Sequence, residues 1–147
     1  MPSRIGDELQ RAAAFRSSLR TFLARTDDAS AAAGLTPQRY DLLLMIKTGN
    51  GETSTVTELS ERLALRQTAV TELVNRAEES GLVERARSPV DGRVTLLKLT
   101  SKGERQLMEA FLALREERRA LARAMGDVAS AFRASVPRAR GWSGDGG

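Results

Sequence analysis

Apolar residues recur at helical spacing from the first turn of this chain. Ile5, Leu9, Ala12, Arg16, Leu19 and Leu23 share one stripe, Phe15 and Phe22 widen it, and charged residues occupy much of the other face. A helix over about residues 5–25 follows, with enough apolar surface to need a partner. The run ARTDDASAAAG then fades into a linker, and Gly34 ends whatever helix precedes it. Leu35-Thr36-Pro37 starts a second helix: Thr36 serves as N-cap, Pro37 takes the first helical position, and Leu35 can pack on Tyr40 as a hydrophobic staple. Leu42 to Ile46 is apolar nearly all round, so this helix is buried. A turn-rich loop, TGNGETS, leads to a very short strand near Ser54–Val56.

The stretch from Thr55 to Leu99 organises the rest. Thr55 and Glu58 form a capping box for a helix whose inner face is Val56, Leu59 and Leu63. Ala64-Leu65-Arg66 is a tight turn, and a second short helix runs from about Gln67 to Ser80 and ends at Gly81. Its inward face is Val70, Leu73, Val74 and Ala77, and its outward face carries Gln67, Thr68, Thr71, Glu72, Asn75 and Arg76. Two extended segments follow, from Leu82 and from Val94 to Leu99, joined by the basic tip RARSPVDGR with its Asp-Gly turn signal. Thr100 or Ser101 caps the next helix, and Ser101 with Glu104 fits another capping box. That helix reads as about 25 residues, about 37 Å long, broken at Gly126, with a short helix over 127–135 stopped by Pro137.

These elements predict a mainly α protein with a small β-wing: a winged helix-turn-helix lobe plus a helical dimerisation frame. The boundaries are residues 1–34 for the N-terminal helix and linker, 35–100 for the lobe, 101–136 for the C-terminal helices and 137–147 for a disordered tail, all within a single domain.

Composition narrows the chemistry. Cysteine and histidine are both absent from the 147 residues. That removes disulfides, thiol switches, the usual transition-metal sites and the Ser/His or Cys/His nucleophile pairs. The expectation is a non-enzyme with no metal and no cofactor. No apolar run approaches the ~20 residues of a membrane span and the N-terminus lacks a signal-peptide core, so a cytoplasmic protein is expected. The formal charge is +4, and the cations are nearly all arginine, whose planar fork suits phosphate and guanine. Between Arg62 and Lys102, eight basic residues face five acidic ones, a surplus of three.

A helix-turn-helix places its second helix in the major groove, with base contacts from its N-terminal residues. Arg66, Gln67, Thr68, Thr71, Glu72 and Arg76 occupy that region, supported by Thr55 at the first helix and Arg87, Asp91 and Arg93 in the wing. Arg can bind guanine, Gln adenine and Glu the cytosine amino group. Arg93 suits the narrow, negative minor groove. Glu72 and Arg76 also fit a plain exposed i, i+4 ion pair, and Arg85 fits either a phosphate or an acid such as Glu84.

The motifs LTPQRYDLLLMI, TELSERLALRQTAVTELVNRAEESGLVER, SPVDGR and LKLTSKGERQ, in this order, resemble the multiple-antibiotic-resistance regulator (MarR) family of bacterial winged-helix transcription factors, over about residues 9–125. The resemblance implies a homodimer joined by its terminal helices and bound to a pseudo-palindromic double-stranded operator. It makes the helix from Gln67 the recognition helix and Asp91 and Arg93 the wing-tip Asp-x-Arg. It also implies a repressor released by a small phenolic or lipophilic ligand, in a pocket drawn by position from Phe15, Leu19, Tyr40, Leu44 and Phe111. Two positions depart from the family pattern: Glu72 stands where many relatives carry a basic or neutral residue, and Arg66 where a Ser or Asp cap is common. The alternative is a winged helix used as a protein-interaction module with no DNA target.

Overall fold

A computed structural model describes residues 4–135, in the order α1 (Arg4–Ala32), α2 (Pro37–Lys47), β1 (Thr53–Ser54), α3 (Val56–Leu63), α4 (Gln67–Glu79), β2 (Val83–Arg87), β3 (Thr95–Leu99), α5 (Ser101–Ala113) and α6 (Arg115–Ser135). The tail expected at 137–147 lies outside the described residues. The chain divides into two compact units. A lobe comprises Ala24–Arg115, and a frame comprises, among the described residues, 4–23 with 116–135.

The lobe is built around α2. Leu42, Leu43 and Ile46 are fully buried there, packed with Leu59 of α3, Val70, Val74 and Ala77 of α4, Leu97 and Leu99 of β3, and Leu107 and Ala110 of α5. The staple pair Leu35 and Tyr40 joins the same core. The sheet is antiparallel in the order β1-β3-β2, with Ser54 opposite Leu97 and Arg85 also opposite Leu97 on the other side. Alternation along β3 sends Leu97 and Leu99 inward and leaves Lys98 exposed. Gly81, at φ +72°, turns the chain from α4 into β2. Gly103 lets α5 approach the Leu82 carbonyl so closely that a Cβ there would collide with it.

Three N-caps are threonines. Thr36 accepts from the Arg39 amide at 3.2 Å, Thr55 from Glu58 at 3.1 Å and Thr100 from Gly103 at 3.1 Å. The last places the cap at Thr100, so Glu104 falls one position beyond a capping box. Its carboxylate instead meets Lys47 of α2 at 2.8 Å, and Lys47 also reaches Glu52 at 3.0 Å. These hydrogen bonds raise the Lys47 pKa above the ordinary lysine value and hold Glu104 below the ordinary carboxylate value.

Two helix boundaries differ from the sequence reading. α1 runs on to Ala32 through the stretch expected to be a linker, because its alanines favour helix and Thr26 and Ser30 turn inward to bury. Gly34, at φ +80°, is the true stop. The break expected at Gly126 comes instead at Leu114, whose side chain is only 2% exposed. Leu114 leaves the helical ladder and anchors in the lobe core, whereas Gly126 sits in the middle of α6 with open space around it.

In the frame, α1 and α6 approach each other within the unit, where the Arg4 guanidinium donates to the Ala134 carbonyl at 2.6 Å. Ile5, Leu9, Leu23, Met125 and Phe132 remain more than half exposed there. No helix among the described residues is long and apolar enough to cross a membrane.

Candidate nucleic-acid interface

The α3-turn-α4 unit is set by side chains that sequence spacing could not pair. Arg62, in the last turn of α3, donates to the Met45 carbonyl at 2.6 Å and to Thr48 Oγ1 at 2.8 Å. It thereby caps the C-terminal end of α2, where a cation is favoured by the exposed carbonyls, and locks α3 onto it. Ala64, at φ 54°, makes the left-handed turn out of α3. Arg66 then takes the N-cap position of α4 in extended geometry (φ −67°, ψ 148°) with no side-chain cap. Its guanidinium is free among the described residues, and so are the first amides of α4.

The exposed face of α4 carries two stripes of different character. Gln67, Thr71 and Asn75 are tied to the protein. Gln67 Nε2 lies 3.4 Å from Thr57 Oγ1, Thr71 Oγ1 donates to the Gln67 carbonyl at 2.9 Å, and Asn75 Oδ1 accepts from Arg85 at 2.8 Å. Thr68, Glu72 and Arg76 are exposed and make no side-chain hydrogen bond or ion pair among the described residues. The i, i+4 pair of Glu72 and Arg76 allowed by the sequence is therefore not formed.

Arg85 of β2 resolves its own ambiguity. It pairs with Glu78 at 3.1 Å while holding Asn75, so its partner is α4 and not Glu84. Because a guanidinium only donates, it fixes the Asn75 amide with its oxygen inward. Lys102 donates to the Ser80 carbonyl at 2.9 Å and caps the C-terminal end of α4. Arg85 and Lys102, with Arg62, are three of the eight cations counted along this stretch; they hold the lobe together. Arg66, Arg76 and Arg87 keep exposed side chains with no hydrogen-bond or ion-pair partner among the described residues.

The wing is a tight hairpin whose loop is held by two short side chains. Ser88 Oγ accepts from the Val90 and Asp91 amides at 3.2 and 3.3 Å. Asp91 Oδ1 accepts from the Arg93 amide at 3.1 Å and meets Arg93 Nε at 3.4 Å. The Arg93 side chain is 94% exposed. Asp91 thus orients the arginine without burying it, and Val90 projects fully into solvent beside it.

The geometry has counterparts among known proteins. A sequence profile of the MarR family matches residues 33–94, from the end of α1 through the wing. The winged lobe is thus the part of the chain that resembles the MarR family in sequence. The repressor IacR of Pseudomonas putida is 41% identical over 61 residues, covering 42% of this chain and 36% of that protein. The HTH-type regulator YdgJ of Bacillus subtilis is 29% identical over 77 residues, covering 52% of this chain and 46% of its own length. The chain therefore spans less than half the length of these curated relatives. The MarR fold extends further than the sequence match. A mutant Escherichia coli MarR complexed with operator DNA superposes with a TM-score of 0.66 at 19% identity, over 86% of this chain and 93% of that one. YusO of Bacillus subtilis gives 0.61 at 20% identity, over 85% and 93%.

The residues implied for a ligand pocket fall into two groups. Phe15 and Leu19 line an open groove of about 360 Å³ in the frame, with Leu23, Val128 and Phe132. Tyr40 is buried in the lobe core, Leu44 packs half-buried against it, and Phe111 is half-buried on α5.

Proposed function

We propose that this chain is a MarR-family regulator: a homodimeric, sequence-specific DNA-binding transcription regulator of the cytoplasm, acting as a repressor and not as an enzyme. The observation that carries the reading is the division of labour on α4. Val70, Val74 and Ala77 fix the helix in the core, Arg85 and Lys102 tie down its flank and C-terminal end, and a free polar stripe with uncapped first amides faces outward. A helix held this way fits a major groove, and the Arg93 wing beside it fits the minor groove. That a MarR structure has been solved on operator DNA supports the assignment.

The dimer rests on the frame. Ile5, at 68% exposure, Leu9 and Phe132 are large apolar residues on helices that a second copy would cover. Two lobes then read half-sites of a pseudo-palindrome about one helical turn, ~34 Å, apart. Release by a small phenolic or lipophilic anion is part of the proposal, with Phe15 and Leu19 of the frame groove as the pocket residues.

Selection of bound DNA from a random duplex pool, with sedimentation of the free protein, tests the reading. A dimer at micromolar concentration that enriches a two-fold symmetric site with salt-dependent affinity is the expected result. A monomer that enriches nothing would leave the winged helix as a protein-interaction module.

A further inference from the structure

The sequence leaves an acid on the face of α4 that would meet DNA, and the structure sharpens why it matters. Glu72 lies in the second turn, exposed, with Arg76 one turn on and unpaired with it. The other arginine that touches this helix, Arg85, is committed to Glu78 and Asn75. Nothing among the described residues uses the Glu72 carboxylate. Facing phosphates, a free carboxylate lowers affinity for every sequence unless it meets a donor.

The chemistry of the major groove leaves it one base. A carboxylate only accepts. Guanine and thymine present acceptors, and adenine sets its N7 acceptor beside its amino group, so an ionised acid is repelled there. Cytosine offers an amino donor with no acceptor of its own. Arg76 is the complement: an unpaired guanidinium that matches guanine O6 and N7. Side chains at i, i+4 stand about 5–6 Å apart, which is less than two base steps of ~3.4 Å.

We infer that Glu72 selects the operator by accepting from the N4 amino group of a cytosine, while Arg76 donates to the guanine of the same or the adjacent pair. This rests on the DNA-reading function proposed above and names the sequence class it reads: half-sites with a C·G pair under the middle of α4. The repulsion of Glu72 from other bases makes it a discriminating residue more than an affinity residue.

The test is duplex selection with the full chain and its Glu72→Gln and Glu72→Ala variants, followed by titration of the enriched sites. Glutamine adds a donor beside the acceptor and suits adenine. Glu72→Gln is expected to move one position of each half-site from cytosine to adenine, with roughly tenfold to hundredfold discrimination, and to leave every other position unchanged. Glu72→Ala is expected to make that position degenerate while binding random duplex more tightly. Melting curves matching the parent would show that both variants fold, as expected at an exposed helix position. If the parent enriches an operator and both variants keep the same base at every position, Glu72 is a surface acid and the inference fails alone. If the parent enriches nothing, the DNA-reading function fails with it.

Discussion

Replacing Arg62 by methionine should unfold the lobe more readily and leave its affinity for DNA phosphates untouched. The arginine stands in the basic stretch that sequence reading assigns to DNA, yet its fork is occupied by the Met45 carbonyl at 2.6 Å and Thr48 Oγ1 at 2.8 Å. Hydrogen bonds from a charged donor contribute about 1.5–3 kcal/mol each in sheltered settings. These two are solvent-exposed, so about 1 kcal/mol each is the better figure, with ~0.3–1 kcal/mol more from a cation at the end of α2. Methionine keeps the apolar stem and removes the fork, so the loss is about 2.5 kcal/mol. For a unit the size of the lobe this lowers Tm by roughly 10–20 °C. Arg62→Lys keeps the charge without the two-pronged geometry and should fall between. Urea unfolding followed by circular dichroism measures the first effect. The slope of log K against log[salt] on a selected duplex measures the second. Arg93→Ala, by contrast, should flatten that slope by about 0.9 for each phosphate that Arg93 neutralises, with no change in stability. An Arg62→Met variant that unfolds within about 0.5 kcal/mol of the parent but binds DNA with a flatter slope would refute the assignment and return Arg62 to the DNA face.

Other tests probe the lobe interior. Ser30 is wholly buried and its hydroxyl has no hydrogen-bond partner among the described residues. Ser30→Ala should therefore stabilise by about 1 kcal/mol, since it removes an unsatisfied polar group and improves helix propensity; a lower urea midpoint would mean that the hydroxyl is satisfied in solution. The Lys47–Glu104 pair predicts a pH signature. Glu104 is held below its ordinary pKa by Lys47, so its stabilising contribution is present at neutral pH and is lost as pH falls through the lowered folded-state value. Glu104→Gln should be less stable than the parent near pH 7, with the gap closing on acidification to below about pH 4; a constant gap across that range would exclude ionisation as its source.

Features set by local chemistry could be read from the sequence. Thr36 and Thr55 cap their helices because an N-cap needs only a hydroxyl and an amide three residues away, whereas the choice of Thr100 over Ser101 took the structure. Gly81 and the Asp91 turn belong to the same class, as does the buried α2 with its nearly continuous apolar run. The errors came where a distant contact overrode a local preference. Gly126 looks like a helix breaker, but an exposed glycine costs a helix only about 1 kcal/mol. Burial of Leu114 in the core is the stronger constraint, and the helix breaks there. Residues 26–32 look like a linker until Thr26 and Ser30 are seen to face inward.

The candidate interface was legible as a face but not as a set of available groups. Composition counts every arginine alike, whereas what an arginine can do depends on whether a carbonyl or acid already occupies its fork. The partners that decide this lie far along the chain. Arg62 reaches 17 residues back to Met45, Lys102 reaches 22 back to Ser80, and Lys47 crosses 57 to Glu104. Once Arg62, Arg85 and Lys102 are committed, the eight cations between Arg62 and Lys102 reduce to five that can meet phosphate or base: Arg66, Arg76, Arg87, Arg93 and Lys98. Five such cations set a ceiling of roughly 4.5 on what this stretch contributes to the counterion-release slope of each lobe. The committed cations would still shape the proposed DNA contact, since Arg85 and Lys102 hold the flank and end of α4 and so determine where the free ones stand.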